Sequence, residues 1–473
     1  MNNLVIDLTH GGVKISVSLK KKGENVYAYD IYGTLKSADR QMLEAYGVEL
    51  LEDLSDLAGF EDDLKIIYPV HLPLTRDEIS KNNPNLNYTF LTHHEAVCEI
   101  LEGWGDDIPV VEVTGVKGKT SSVFMLKEIM VSENPLILSS LGAILYENGR
   151  EIILKKNISI TPANIKETVD LAYKIANPVC EIAEGRAQSE NLKKYSSAIF
   201  ESSLGVSGIG DVGLLTNISE NYPIARKMST ASEAKRQVFR CPNVVCEKEA
   251  YDKYYSDVSH PHISTFSLTD KSANLYVEKV DFSLDRTEIR IKYREITTIS
   301  GQNLSGALTV KTFAPGPHHV SNVLGVVLTA LVLEIDEKQI AEGLENYNGI
   351  TGRTNKRSNG EFIIIEEINP GINTDAIKQS INMIRNLDSY YIAVGGDYGI
   401  TCEEIDESKV SEYLDSLNCD IILTGDVGSS IASLMKRDVK VMADYTNIFD
   451  MAKRDGKNLL FIYRSNYSKV SQR

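Results

Sequence analysis

Cysteine is scarce in this sequence: six in 473 residues, Cys98, Cys180, Cys241, Cys246, Cys402 and Cys419. No two of them form a Cys-x-x-Cys pair, which removes the usual sequence signal for a zinc site or a thioredoxin-type motif. Scattered thiols at this density fit a reducing cytoplasm rather than a disulfide-stapled secreted fold. Positive charge is also in deficit, with 50 basic against 66 acidic residues and a net charge of −16. An acidic surface argues against nonspecific binding to nucleic acid or an anionic membrane, but it leaves room for a local basic pocket and an anionic small-molecule substrate. Long apolar runs are missing. The most apolar stretch, Val320 to Ile335, falls short of the roughly 20 residues a bilayer requires and leads into Asp336-Glu337-Lys338, so it reads as a buried helix. The opening MNNLVIDLTHGG lacks the charged and apolar regions of a signal peptide. There is no internal repeat and no low-complexity segment.

What is present is strand–helix alternation in three blocks, within a length that suggests two to four domains. The first block, 1–89, opens with the strand NLVIDL, the turn THGG, a helix ending at Gly23 and the strand NVYAYDI with Asp30 near its end. This is a βαβ outline, although only Gly11 and Gly12 occupy the turn. The second block, 90–350, alternates strands with helices and includes a stretch, Ser272 to Ser300, of strand-like period two. The third, 351–473, starts near the polar linker GITGRTNKRSNG. It carries EFIIIEEINP, a helix from Thr374 to about Leu387, the strand YYIAVGG, a helix from Glu407 to about Leu417, and DIILTGD. The expected class is α/β with parallel sheets.

The strongest local signal is VVEVTGVKGKTSS, Val110 to Ser122. Apolar residues before it suggest a buried strand. Val123, Leu126 and Met130 after it recur at helical spacing. Strand, glycine loop, helix is the setting of a phosphate-binding loop. Its backbone N–H groups and helix N-terminus favour an anion; in such a loop Lys119 would reach the β- and γ-phosphates, the Thr120 hydroxyl would bind Mg²⁺, and Gly118 would permit close backbone approach. The spacing departs from the general pattern, which places a glycine five residues before Gly118. Val113 stands there, and the nearest glycine is Gly115.

The shortened loop Gly115-Val116-Lys117-Gly118-Lys119-Thr120-Ser121 resembles the GTNGKT loop of the Mur ligase superfamily, and further stretches resemble that family in order along the chain. AIFESSLG resembles EVSSHGL, implying that Glu201 is a second Mg²⁺ ligand. LLTNISENYP resembles FTNLSRDHLD. ASEAKRQVF resembles the segment bearing a carbamylated lysine, which places that role on Lys235. PGPHHVSNVLG resembles GRHNVYNALA, so Asn322 would contact adenine. GITGR resembles GVPGR, so Arg353 would contact phosphate. VGGDYG and ILTGD resemble the family's GCGGDRD and LTSDNPR. The resemblance implies three domains: Rossmann-like for substrate, a central P-loop-type ATPase, and Rossmann-like again. It also implies ATP and Mg²⁺ as cofactors, with catalysis by Lys119, Glu201 and Lys235. A carbamate requires a neutral amine, so Lys235 would need a depressed pKa, to which Lys227 and Arg236 are the sequence-near contributors.

Plainer readings stand beside these. Glu201 could be a solvated strand-end carboxylate, Lys235 a surface lysine, Asn322 a locally bonded helix residue and Arg353 a linker charge. His318 and His319 could cap the apolar helix, and His93 and His94 follow Thr92, a plausible N-cap. The departures from the family are specific. Glu220, Asn221 and Tyr222 stand where the family has RDH, so the metal-binding histidine is absent, which leaves the metal to Glu201, phosphates and water, or to Glu220 in compensation. IEEINP replaces DYAHNP, leaving Glu366 and Glu367 as substitutes. GDVGSS replaces the segment whose arginine recognises an amino-acid substrate.

VIDLTHGGVKIS, YPVHLPL, FLTHHEAV, EVTGVKGKTSS and GGDYGITCEEID together resemble the archaeal coenzyme F(430) synthetases, a Mur-like family. That resemblance implies activation of a propionate on a nickel seco-tetrapyrrole by ATP, then attack by a ring carbon of the same macrocycle. The alternatives are an ATP-dependent amide ligase, such as a pseudomurein peptide or polyglutamate ligase, and a nucleotide-binding protein without catalysis.

Overall fold

A computed structural model describes residues 2–176, 194–351, 353–358, 362–369, 371–384, 389–399 and 405–465. The described chain forms two compact units. One comprises 1–279, 290–309 and 321–343; the other comprises 280–289, 310–320 and 344–473. The expected block 1–89 and most of 90–350 fall in the first unit, while 280–289, 310–320 and 344–350 fall in the second. Of the stretches read above, Cys180, Gly352, residues 359–361, Pro370 and residues 400–404 lie outside the described residues, as does the expected end of the helix from Thr374, which is described over Thr374–Met383.

Most of the first unit is built on two large sheets, with a further two-stranded sheet, Pro223–Ile224 with Ser229–Thr230. Strands β1 (Asn2–Ile6), β2 (Asn25–Tyr29), β3 (Glu49–Leu51), β4 (Leu64–Tyr68) and β5 (Tyr88–Thr92) form a parallel sheet in the order β3-β2-β1-β4-β5. The βαβ outline read from the first residues is present: β1, the helix Val13–Lys21, β2. Leu4, Val5 and Ile6 of β1 are fully buried because parallel strands are covered on both faces. β5 straddles the 89/90 boundary, since its Tyr88–Thr92 backbone pairs with β4. Thr92 then caps the helix His93–Ile100 in a capping box with Glu95.

The second sheet is built on β6 (Val110–Thr114), all five residues of which are buried. Further strands are β7 (Leu136–Ser139), β8 (Gly142–Glu147), β9 (Arg150–Lys155), β10 (Ala198–Glu201) and β11 (Val212–Leu215). β10 and β11 flank β6 in parallel register, and β7 pairs β10. β8 and β9 continue antiparallel at one edge. The strand Asn243–Glu247 pairs β11 on the other side. Alternating burial along Thr287–Thr297 matches the period-two pattern of its sequence. The apolar stretch after Gly316 is the helix Pro317–Val332. No helix among the described residues is long and apolar enough to cross a membrane.

The second unit holds a sheet ordered Thr354–Ser358, Ile363–Ile368, Asn458–Arg464, Tyr390–Gly396, Ile421–Thr424 and Lys440–Met442. It is parallel except at its first pair. Ile365, Val394, Leu423 and Leu460 pack into one of its cores.

Candidate active site

β6 runs at the middle of the parallel strands, so its C-terminal end opens where α/β sheets place ligands. Gly115 and Gly118 follow it with φ of 142° and 84°, a region that disfavours side chains. Space is equally restrictive. A Cβ on Gly115 would lie 2.0 Å from Thr216 Oγ1, and one on Gly118 would lie 2.0 Å from Asn322 Oδ1. The short glycine interval is held by the chain leaving β11. Val116 N donates to Asn217 O at 3.0 Å, and Lys117 N donates to Asn217 Oδ1 at 3.1 Å. Thr216 Oγ1 and Asn217 Nδ2 donate to Lys117 O at 2.6 and 3.1 Å. Gly118 then starts the helix Lys119–Ile129. The first N–H groups of a helix have no intrahelical partner, and with the helix dipole they favour phosphate. Lys119 Nζ curls over the loop, donating to Gly115 O at 3.0 Å and Val116 O at 3.4 Å.

Glu201 ends β10, beside β6, and is 2% exposed, which removes the solvated-carboxylate reading. Thr120 Oγ1 donates to its Oε1 at 3.0 Å, and Ser140 N donates to its Oε2 at 3.0 Å. Ser140 Oγ lies 3.1 Å from the Thr120 hydroxyl. The donor set fits Mg²⁺. It is all oxygen, one donor is a carboxylate, and adjacent ligands of an octahedral Mg²⁺ with bonds of about 2.1 Å lie about 3.0 Å apart. Thr120 and Glu201 are the residues that would hold such an ion, which neutralises phosphate charge when bound.

Lys235 ends the short helix Ala231–Lys235, which Thr230 and Glu233 cap. Its side chain is fully buried, so it is no surface lysine. Nζ donates to Ser203 O and lies 5.9 Å from the Tyr222 ring centroid. Burial, and secondarily the charge of Lys119, lowers its pKa to about 7. The neighbouring charge is therefore that of Lys119. Lys227 and Arg236 are exposed, and Arg236 is paired with Asp257 at 2.5 Å. A phosphate loop, an oxygen pair suited to a hard cation, and a lysine neutral for much of the time at pH 7 thus share one buried neighbourhood.

Residues 356–466 match the family model described as Coenzyme F430 synthetase CfbE, C-terminal domain. A coenzyme F(430) synthetase of Methanosarcina acetivorans is 24% identical over 449 residues, 91% of each chain. One of Methanocaldococcus jannaschii is 26% identical over 444 residues, 91% of this chain and 92% of that one. Among solved structures, MurF of Acinetobacter baumannii superposes with a TM-score of 0.57 at 16% identity, covering 89% of this chain and 91% of that one. These matches support a likeness to the Mur ligase superfamily. The chain has the fold of those ligases and a likeness to the coenzyme F(430) synthetases, and its coarse activity is that of an ATP-dependent ligase.

The other expected site residues fall as follows. Asn322, on the helix Pro317–Val332, is 6% exposed and abuts Gly118. It therefore reaches the nucleotide loop itself. Ser121 is half-buried in the first turn of the loop helix. Arg353 belongs to the second unit, where its charge acts on Glu367. Burial raises Glu367 to about 7 against the opposing effects of Thr354 and Arg353, whereas Glu366 is paired with Arg357 at 2.7 Å. Glu220 is exposed, and Asn221 Oδ1 accepts from Ser232 N at 2.9 Å. Tyr222 instead offers its ring to Lys235. His93 and His94 are buried, and burial lowers them to about 4 and about 3; His93 Nε2 meets Ile6 O at 2.9 Å, a structural contact. In the second unit His319 Nε2 meets Thr354 Oγ1 at 2.9 Å, a bridge to a strand rather than only a cap.

Sequence reasoning missed Ser140, Thr216 and Asn217. The last two lie in the LLTNIS stretch, which was matched to the family without roles for single residues. Ser140 sits in an unremarkable turn and carried no signal. It also missed Glu112, in the middle of an apolar strand. This fully buried carboxylate accepts from Ser207 N and Oγ and from Gly208 N at 2.8, 2.6 and 2.7 Å, tying the loop after β10 to β6.

Proposed function

We propose that this ligase activates a propionate carboxylate of a nickel seco-tetrapyrrole as an acyl phosphate and closes a carbocyclic ring, giving coenzyme F(430). The observation that supports this reading is the convergence of Lys119, Thr120, Glu201 and Lys235 in one site, in a chain whose likeness to two coenzyme F(430) synthetases spans 91% of its length. The carboxylate oxygen attacks the γ-phosphorus and ADP leaves. A ring carbon, having lost its proton, attacks the acyl carbon, and phosphate departs. Lys119 stabilises charge on the transferring phosphoryl group. Both reacting groups belong to one molecule, so holding them together supplies up to roughly 7–11 kcal/mol of the barrier reduction.

Lys235, in this proposal, carries CO₂ as a carbamate and helps to hold a second metal ion. Its lowered pKa supplies the neutral amine. Asn322 contacts the adenine, and the blocks 1–89, 90–350 and 351–473 act as Rossmann-like substrate domain, ATP-binding ligase domain and Rossmann-like C-terminal domain in the cytoplasm. Propionate labelled with heavy oxygen tests the acyl phosphate. One labelled oxygen is expected in the released phosphate, and unlabelled phosphate accompanying full ring closure overturns it. An amide ligase would instead require an added amine.

A further inference from the structure

A second group of polar side chains lies away from the nucleotide loop, at the end of β1. Asp7 is fully buried and takes φ 74°. Its Oδ1 is fixed by Thr9 N at 2.9 Å and His10 N at 3.3 Å, so the carboxylate cannot rotate freely. Its other oxygen, Oδ2, lies 2.8 Å from His10 Nδ1 and 3.4 Å from His71 Nε2. The two imidazole nitrogens are themselves 3.3 Å apart. Three donor atoms from separate side chains thus face one another. His71 comes from the loop after β4, which the parallel sheet places beside β1.

The triangle decides what these atoms suit. Sides of 2.8, 3.4 and 3.3 Å have a circumradius of about 1.8 Å. A point about 2.05 Å from all three donors, the usual zinc–nitrogen and zinc–oxygen distance, therefore exists about 0.9 Å out of their plane. That is a facial arrangement of three protein ligands with further positions open. Two imidazoles and a carboxylate are borderline donors, suited to Zn²⁺, Co²⁺, Ni²⁺ or Fe²⁺ rather than to Mg²⁺. The backbone hydrogen bonds to Asp7 Oδ1 supply the outer support that orients a metal-bound carboxylate. Tyr32 stands edge-on to His10 at 5.8 Å between centroids and flanks the group. The side chains of His10 and His71 are 47% and 24% exposed, so an ion can enter from solvent.

We infer that Asp7, His10 and His71 form a binding site for one borderline divalent transition-metal ion, separate from the Mg²⁺ ligands of the nucleotide loop. The site does not depend on which carboxylate the ligase activates, so it stands or falls apart from the proposed reaction.

Co²⁺ titration of the full-length chain, stripped with chelator and kept in excess Mg²⁺ and ADP, tests the site. One equivalent of Co²⁺ should give visible d–d absorption, which one equivalent of Zn²⁺ abolishes. His10→Ala, His71→Ala and Asp7→Asn should each lose the band, while Glu201→Ala, which alters the other site, keeps it. Circular dichroism and thermal midpoint identify variants that fold. If Asp7→Asn misfolds, the two histidine variants, which alter partly exposed side chains, decide alone. No saturable band in the parent chain, or a band that survives both histidine substitutions, overturns the site and leaves a hydrogen-bonded Asp–His–His group.

Discussion

Replacing Lys235 with methionine should make the protein more stable at neutral pH while abolishing ring closure. The amine has an ordinary value of 10.5 and about 7 in the folded chain, because burial and then Lys119 disfavour its charge. Between those two values the unfolded chain holds more protons than the folded one, so the stability contribution of Lys235 improves as pH rises through the window. Below pH about 7 the penalty is fully present; above 10.5 it is absent. At pH 7 the shift corresponds to on the order of 4 kcal/mol against folding, falling below about 1 kcal/mol at pH 10. Methionine removes that penalty, but leaves Ser203 O without its donor, a cost of about 1–3 kcal/mol. A net gain of roughly 1–3 kcal/mol at pH 7 raises the thermal midpoint by a few degrees, and at pH 10 the gain disappears or reverses. Thermal melts in CO₂-free buffer at the two pH values measure the difference. A variant destabilised equally at both would refute the assignment of a strained, buried amine.

Lys119→Ala should reduce ATP turnover by at least about 100-fold, the scale of losing one charge-stabilising donor; its circular dichroism should match the parent, and turnover near the parent rate would remove this loop from the chemistry. Glu201→Ala should raise the Mg²⁺ concentration needed for product formation more than it weakens ADP binding, and an unchanged Mg²⁺ dependence would exclude the metal role. Gly118→Ala forces a side chain into a left-handed turn 2.0 Å from Asn322 Oδ1; calorimetry should show nucleotide affinity reduced at least about tenfold, a scale matching the roughly 1–2 kcal/mol cost of that backbone conformation. Lys235→Arg retains charge but cannot be carbamylated, so it should lose most ring closure; near-full activity would make Lys235 a plain cation.

The loop, the helix after it and the strand–helix alternation were legible because each follows from local rules: apolar strands, glycines at turns, helical spacing after Thr120. Glu201 and Lys235 were legible only through their resemblance to family segments. Their burial depends on β10 pairing with β6 and on the helix Ala231–Lys235 lying against the loop after β10, which no local pattern encodes. The source of the Lys235 shift was misplaced for the same reason. Arg236 is its sequence neighbour, but helix geometry turns it outward to Asp257, while Lys119 arrives from 116 positions earlier in the chain. Thr216 and Asn217 take their roles from the parallel pairing of β11 with β6. The Asp7–His10–His71 group joins residues 64 positions apart at their extremes through the β1–β4 pairing, and single histidines in two turns gave no hint of convergence.

The most direct test of the proposed reaction is the mass of the product formed from the nickel seco-tetrapyrrole with ATP, Mg²⁺ and no added amine. A product lighter than the substrate by one water, with ADP and phosphate released in equal amounts and no product from Lys119→Ala, is expected. Product that appears only when an amino acid or other amine is supplied, with the amine's mass incorporated, would contradict ring closure and make the chain an amide ligase.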